Sequence, residues 1–435
     1  MDSKIRSIAK LSILAVAVLW VSGAHAQTFT VLHGFTGGSD GGPSYSTLTP
    51  DSAGNLYGTT VWGGSTNCEW GCGVVFELSP ATGGGYTESV IYSFQGGADG
   101  AGPGNGVIFD AAGNLYGTTF GGGVHNGTGT VFELTPGGGT WTKSILYTFP
   151  GGNHGGTPEG LVFDSRGNLY GNASYGGAHN YGVVYQLTPG STGWTEHIVH
   201  AFTGGNDGAY AYGNLTIDTA GNIYGTAING GAHGYGVVFE FQPQTGGTWK
   251  EVALHDFTGG IDGGDASGGV VLDASGNVYG VTTLGGNTSL CTAQGPGCGV
   301  VFKLTHSSSG WTESVIHTFT GGQDGATPQA QLIFDSAGDI YGTAAFGGGV
   351  SSCPYSVGCG TVFKLTPQTT GKFSVSPLRR FTNRADGANP VGTLYLDASG
   401  NLFGTASAGA STACVPTGGC GTIFEITGVT SDARK

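Results

Sequence analysis

The chain has 435 residues, 89 of them Gly and 16 Pro, and only 10% are charged, against about 25% in ordinary globular domains. Apolar residues make up 38% and aromatics 11%, which excludes a disordered polymer, while so much Gly disfavours long helices, at about 1 kcal/mol per helical Gly relative to Ala. A net charge of −14 excludes the basic face that nucleic acid requires.

The first segment carries Lys4, Arg6 and Lys10, then the apolar run Leu11 to Val21, then Ser22-Gly23-Ala24-His25-Ala26. A basic leader, a short apolar stretch and a small-x-small site are the marks of a secretory signal peptide, with cleavage expected after Ala26. The apolar run is too short to span a bilayer, and no Cys suited to lipidation lies near the cleavage site. The expected product is secreted or periplasmic, with one domain over residues 27–427 and a short tail over 428–435.

Thr28 to Phe35 (TFTVLHGF) reads as a strand with no partner beside it in sequence. One phrase then recurs seven times, starting at Asp51 (DSAGNLYGT), Asp110, Asp164, Asp218, Asp273, Asp335 and Asp397, at intervals of 54 to 62 residues. Periods of this length indicate propellers, solenoids or arrays. Within each unit four strands are expected, typified by Leu161 to Asp164, Asn114 to Thr119, Gly73 to Leu78 and Trp311 to Phe319. The D-x-x-G-N turn joins the first two, with Asp and Asn bonding back to local backbone. The last unit stops after a third strand at Gly421 to Ile426, so the N-terminal strand is expected to complete it. The predicted fold is all-β: a seven-bladed β-propeller of four-stranded blades, closed by the N-terminal strand, which removes exposed sheet edges.

The eight cysteines fall into local pairs, Cys68/Cys72, Cys291/Cys298, Cys353/Cys359 and Cys414/Cys420, each within one short loop. An exported chain favours local disulfides, and no second Cys or His pair completes a zinc set at standard spacing. The pairs are expected to staple loop insertions.

The units F-x-G-G-x-D-G, D-x-x-G-N-L-Y-G-T and G-T-V-F-E-L-T-P resemble the GloVer tandem repeat of bacterial exported "choice-of-anchor" proteins, over nearly all of residues 28–427. The resemblance implies an exported propeller. It implies no particular reaction and carries over no catalytic residue. The ending ITGVTSDARK departs from anchored members in lacking an apolar tail.

In a four-stranded blade the D-x-x-G-N turns share one face and are expected to be structural. The opposite face collects the F-x-G-G-x-D-G loops, with Asp40, Asp99, Asp207, Asp262, Asp324 and Asp386, and with His154 replacing Asp in the third. Each Asp is expected to fold its own turn. Read functionally, these acids form a low-affinity Ca²⁺ ring at most, because one carboxylate per loop falls short of the six to eight oxygens calcium takes. No other cofactor is indicated. On this face the second-to-third-strand loops differ most among themselves. His125, His179 and His233 stand in blades 2 to 4, near His154, with Tyr175, Tyr181, Tyr210, Tyr212 and Tyr235, while Trp62 and Phe120 take the position of Tyr175 in neighbouring blades. These residues could pack between blades, or form a platform on which aromatic faces stack against sugar rings.

Nucleophile-elbow, zinc-protease and phosphate-loop motifs are missing. The preferred reading is a monomeric, non-catalytic exported propeller that binds carbohydrate or a surface protein, with no nucleic-acid partner and no membrane span. A polysaccharide lyase or hydrolase using His and Tyr of blades 2 to 4, and a purely structural or adhesive repeat protein, are the alternatives.

Overall fold

The computed structural model describes residues 27–430 apart from 125–126, 293–294, 351–352, 354–356, 412 and 415–417. The expected signal peptide, the end of the tail and His125 lie outside the described residues. Seven antiparallel sheets follow one another in the chain, spanning residues 49–93, 107–148, 156–201, 209–256, 270–318, 326–380 and, for the seventh, 395–427 joined by Thr28–Gly34. The strand order in the seventh sheet places Thr28–Gly34 outermost, antiparallel to Thr422–Thr427, with Thr28 opposite Thr427 and Gly34 opposite Thr422. The ring therefore closes between the two ends of the chain. Helical structure among the described residues is limited to two single 3₁₀ turns, Gly97–Asp99 and Gly152–His154.

The fourth blade shows how the repeat builds a sheet. Its strands are Ala209–Ile217, Ile223–Asn229, Val237–Pro243 and Trp249–Asp256. The outermost strand is exposed or half-buried except at Leu254, whereas Ile223 to Ala227 are wholly buried. A side chain on the repeated Gly of the second strand would collide with the aromatic ring across from it. A Cβ on Gly225 would lie 2.5 Å from the ring of Phe239, and one on Gly58 2.5 Å from that of Phe76. Seven apolar clusters fill the seven spaces between blades. Between blades 3 and 4, for example, Tyr170, Val184 and Phe202 meet Ile223, Phe239 and Phe241. The core is thus an annulus of interfaces in which each blade buries both faces against its neighbours.

The turns bear out their structural reading. Asp51 Oδ1 accepts from the Ala53 and Asn55 amides at 2.8 and 2.9 Å, while Oδ2 accepts from the Asn55 side chain and the Tyr57 hydroxyl. The arrangement repeats at Asp110, Asp164, Asp218 and Asp273. In blade 6, Asp339 replaces the Asn, and Lys364 Nζ meets its carboxylate at 2.6 Å.

All four local disulfides are formed: Cys68–Cys72, Cys291–Cys298, Cys353–Cys359 and Cys414–Cys420. They close short loops as expected, and the second cysteine of each pair also belongs to the core. Cys72, Cys298, Cys359 and Cys420 are fully buried. Cys420 lies two residues before the strand Thr422–Thr427, and it packs with Cys414 against Phe35, Leu48 and Phe76 at the interface of blades 7 and 1. Its amide donates to the Gly409 and Ser411 carbonyls, both at 3.0 Å, which ties the inserted loop back to the sheet.

Three of the bridges cover the first Gly of the next blade's F-x-G-G loop: Cβ atoms on Gly37, Gly96 and Gly321 would strike the sulfurs of Cys414, Cys68 and Cys291. In blades 3 and 4 the rings of Tyr181 and Tyr235 do this work, covering Gly204 and Gly259. Cys72, Tyr181, Tyr235, Cys298 and Cys359 each also accept a backbone bond from the following blade through their carbonyls, from Gly102, Tyr210, Asp265, Thr327 and Asn389. Tyrosine and disulfide are therefore alternative solutions to one packing problem.

Candidate functional site: the axial cavity

The residues before each D-x-x-G-N turn run along the ring axis, and there the blades stop being alike. Thr157, Tyr210, Asp265, Thr327 and Asn389 occupy one repeat position and all adopt the left-handed backbone region, with φ between 54° and 57°. Non-Gly residues seldom do so. The amides of all five donate to the preceding blade, which is what holds them in this conformation. Of the five, Asp265 and Thr327 line the axial space.

The axial space is a cavity of about 720 Å³ to which every blade contributes. Tyr45 and Thr47 come from blade 1, Asn105 and Phe120 from blade 2, Glu159 from blade 3, Tyr212 and Asn214 from blade 4, Asp265 from blade 5, Gln329, Gln331 and Phe346 from blade 6, and Thr393 from blade 7. Aromatic faces alternate with amides, hydroxyls and two carboxyl groups. Tyr212 and Tyr45 remain open to solvent, at 41% and 37% exposure.

Glu159 is the unusual group in this lining. It is 2% exposed, and Asn105 Nδ2 donates to its Oε2 at 2.8 Å. Ser174 lies close but donates to the Thr157 carbonyl at 3.4 Å, and Glu159 Oε1 has no partner at hydrogen-bond distance. Burial pushes its pKa up to about 7, against the opposing pull of Asn105 and Ser174. Burial also raises the Asp265 carboxyl, with Thr283 opposing. Tyr212 is pushed up to about 12, by burial first, then by Glu159 and Tyr175. Behind Glu159 the fully buried Tyr185 hydroxyl and Asn172 Oδ1 are also without partners, and Tyr185 stands where other blades carry Phe76, Phe132 and Phe239. Sequence reasoning missed Glu159. The signal was present: Gly155 precedes Asp164 by nine residues where Gly208 precedes Asp218 by ten, and the short segment holds an acid.

Among the sequence candidates, Phe120 lines the cavity, as does Tyr212. Tyr175 is 55% exposed, and Tyr210 packs edge-on between Tyr175 and Tyr181 at 5.9 and 5.7 Å. Trp62 packs against Trp70 at 5.9 Å, and Tyr235 covers Gly259. His179 and His233 are exposed. His154 pairs with Glu196 at 2.5 Å. Among the described residues, His154, His179 and His233 do not assemble into a common metal-binding group.

The Asp of each F-x-G-G-x-D-G loop folds its own turn, as Asp207 does with the Thr203 amide and hydroxyl. Six of the seven loop residues also meet the residue seven positions earlier, on the outermost strand. His33–Asp40, His200–Asp207, His255–Asp262 and His317–Asp324 lie at 3.0 to 3.4 Å; Tyr92 donates to Asp99, and Arg379 meets Asp386 at 2.6 Å. A third group reaches in from the next blade. Burial, then the neighbouring Asp, pushes Glu88, Glu251 and Glu313 up to about 7. Burial pushes the Asp207 carboxyl up, but its bonds from Thr203 and His200 outweigh this and leave it below the usual range.

The Gloeobacter/Verrucomicrobia repeat profile matches residues 21–216, 125–352 and 288–435 of the chain. No curated protein matches in sequence. Among solved structures, a proposed 6-phosphogluconolactonase from Bacteroides fragilis is similar at TM-score 0.50 and 13% identity, over 80% of this chain and 85% of that one. The extracellular domain of a proposed one-component system from B. thetaiotaomicron is similar at TM-score 0.52 and 11% identity, over 91% of this chain and 39% of that one. At such identities the likeness is one of fold. Among the described residues, no helix is long and apolar enough to cross a membrane.

Proposed function

The chain belongs to the Gloeobacter/Verrucomicrobia repeat family, and from that premise we propose that it is an exported, non-catalytic propeller that holds a carbohydrate ligand in its axial cavity. The observation that carries this reading is the lining itself: Tyr45, Phe120, Tyr212 and Phe346 interleaved with Asn105, Asn214, Gln329 and Gln331 around about 720 Å³. Sugar rings present apolar faces to aromatics and hydroxyls to amides, and cavities of this size suit small ligands or chain ends. Four disulfides fit an oxidising compartment.

A panel of polysaccharides incubated with residues 27–435 tests the reading by co-sedimentation. At least one glycan is expected to retain the protein. Tyr45→Ala and Tyr212→Ala should each weaken retention about tenfold, the scale of losing roughly 1.4 kcal/mol of ring contact, with the melting temperature unchanged. Variants that bind as the wild type does would refute the cavity as the site.

One observation favours a second reading, catalysis on the bound glycan. Glu159 carries an unpartnered oxygen and a pKa near 7, as a general acid requires. Oligosaccharide released from the panel, and lost in Glu159→Gln, would replace the first reading with the second.

A further inference from the structure

We propose that His200, Asp207 and Glu251, on the outer rim between blades 3 and 4, form a divalent-metal site suited to Zn²⁺. His200 comes from the outermost strand of blade 3, Asp207 from the loop entering blade 4, and Glu251 from the outermost strand of blade 4. His200 Nε2 lies 3.0 Å from Asp207 Oδ2 and 3.6 Å from Glu251 Oε2, and one ligand atom from each residue falls within 4.8 Å of the others. Tetrahedral zinc with bonds of about 2.0 Å sets its ligands roughly 3.3 Å apart, and the two distances from His200 bracket that spacing. The imidazole is held in place by stacking on Phe241 at 5.0 Å and by the edge of Phe202 at 4.9 Å. Side-chain exposures of 21%, 12% and 24% leave a side open to water as a fourth ligand.

The same position at other blade interfaces already holds a cation. Between blades 1 and 2, Lys143 takes the place of Glu251 and its ammonium meets Asp99 at 2.7 Å, 4.7 Å from the Phe94 ring centre. Between blades 6 and 7, the Arg379 guanidinium takes the place of His200, pairing with Asp386 while lying 4.0 Å from the centre of the Phe29 ring. Between blades 3 and 4 the cluster pairs two carboxyl groups with one imidazole and with no Lys or Arg, so the place of the fixed cation is open. A metal would supply the missing charge. Two further interfaces repeat the residue types, His33/Asp40/Glu88 and His255/Asp262/Glu313. There Glu88 Oε1 and Glu313 Oε1 are buried without a hydrogen-bond partner. One nitrogen and two oxygens favour zinc over calcium, which wants six to eight oxygens.

The test uses untagged protein stripped with EDTA, equilibrium dialysis against Zn²⁺ at micromolar metal, and parallel thermal melts. The wild type is expected to take up Zn²⁺ and to melt higher with it. Glu251→Gln should lose one equivalent of bound metal. Glu251→Lys, which puts at this rim the ammonium that Lys143 supplies at another, should lose the same equivalent while melting in EDTA at or above the wild-type temperature. That behaviour separates metal loss from unfolding. A His179→Asn/His233→Asn variant, altered at two exposed imidazoles, should bind as the wild type does. Absence of Zn²⁺ uptake, uptake unchanged in both Glu251 variants, or tighter retention of Ca²⁺ than of Zn²⁺ would each overturn the proposal.

Discussion

Removing Thr28–Gly34 is expected to abolish the cooperative unfolding transition. This strand supplies the outer ladder of the seventh blade, from the Thr28–Thr427 pair to the Gly34–Thr422 pair. Net stabilisation of about 1 kcal/mol per ladder bond already approaches the total of 5–15 kcal/mol that holds a domain together. Phe29 adds ring contacts to Phe381 at 5.9 Å and Phe424 at 5.6 Å, at the interface of blades 6 and 7. The deletion would also bare Thr422–Thr427 as an unpaired edge, open to pairing with a second chain. Urea unfolding followed by near-ultraviolet circular dichroism should show a broad, early loss of signal accompanied by aggregation. A truncated protein that unfolds sharply at the wild-type urea midpoint would mean that the ring does not depend on this closure.

Glu159→Gln should stabilise the protein by about 3 kcal/mol at pH 8 and leave it unchanged near pH 4. The folded-state pKa of about 7 lies above the ordinary value of 4.5. Below pH 4.5 the carboxyl is protonated in both folded and unfolded chains, so burial carries no ionisation penalty. Between 4.5 and 7 the unfolded chain ionises first, and the penalty grows to about 3 kcal/mol at 1.36 kcal/mol per unit of pKa. Above pH 7 it stays constant. Glu88, Glu251 and Glu313 act in the same direction but are partly solvated, so each contributes less. Urea titrations of both proteins from pH 4 to 8 give the difference directly, and a difference independent of pH would remove Glu159 as a strained acid. A destabilising carboxyl facing a cavity is the pattern of a group kept for its ligand rather than for the fold.

The architecture was legible because it is written seven times. The Asp51-type turn, the Leu-Tyr-Gly-Thr strand and the orphan strand Thr28–Phe35 together specify blade number and the point of closure. The cysteine pairing was legible because each pair closes a short loop. The burial of Cys420 and its counterparts was not, because it arises from the neighbouring blade pressing on the loop rather than from the loop itself. The rim was only half legible. Asp207 reads as a turn residue, but its His200 partner seven residues earlier and Glu251 from the next blade meet only when adjacent blades are set side by side. The exchange of Tyr181 for a cysteine pair was likewise hidden, because ring and disulfide share a role across the interface rather than a chemistry. Glu159 escaped for a related reason. Axis-facing residues have no shared type from blade to blade, so repeat comparison discards the very positions that line the cavity.

The most direct measurement is a crystal structure of the protein with the best-retained oligosaccharide. The sugar is expected on the ring axis, stacked on Tyr45 or Tyr212 and hydrogen-bonded to Glu159 or Asn105. A sugar seated instead on the exposed loops of Tyr175 and His179, with the axis filled only by water, would contradict the axial cavity as the binding site.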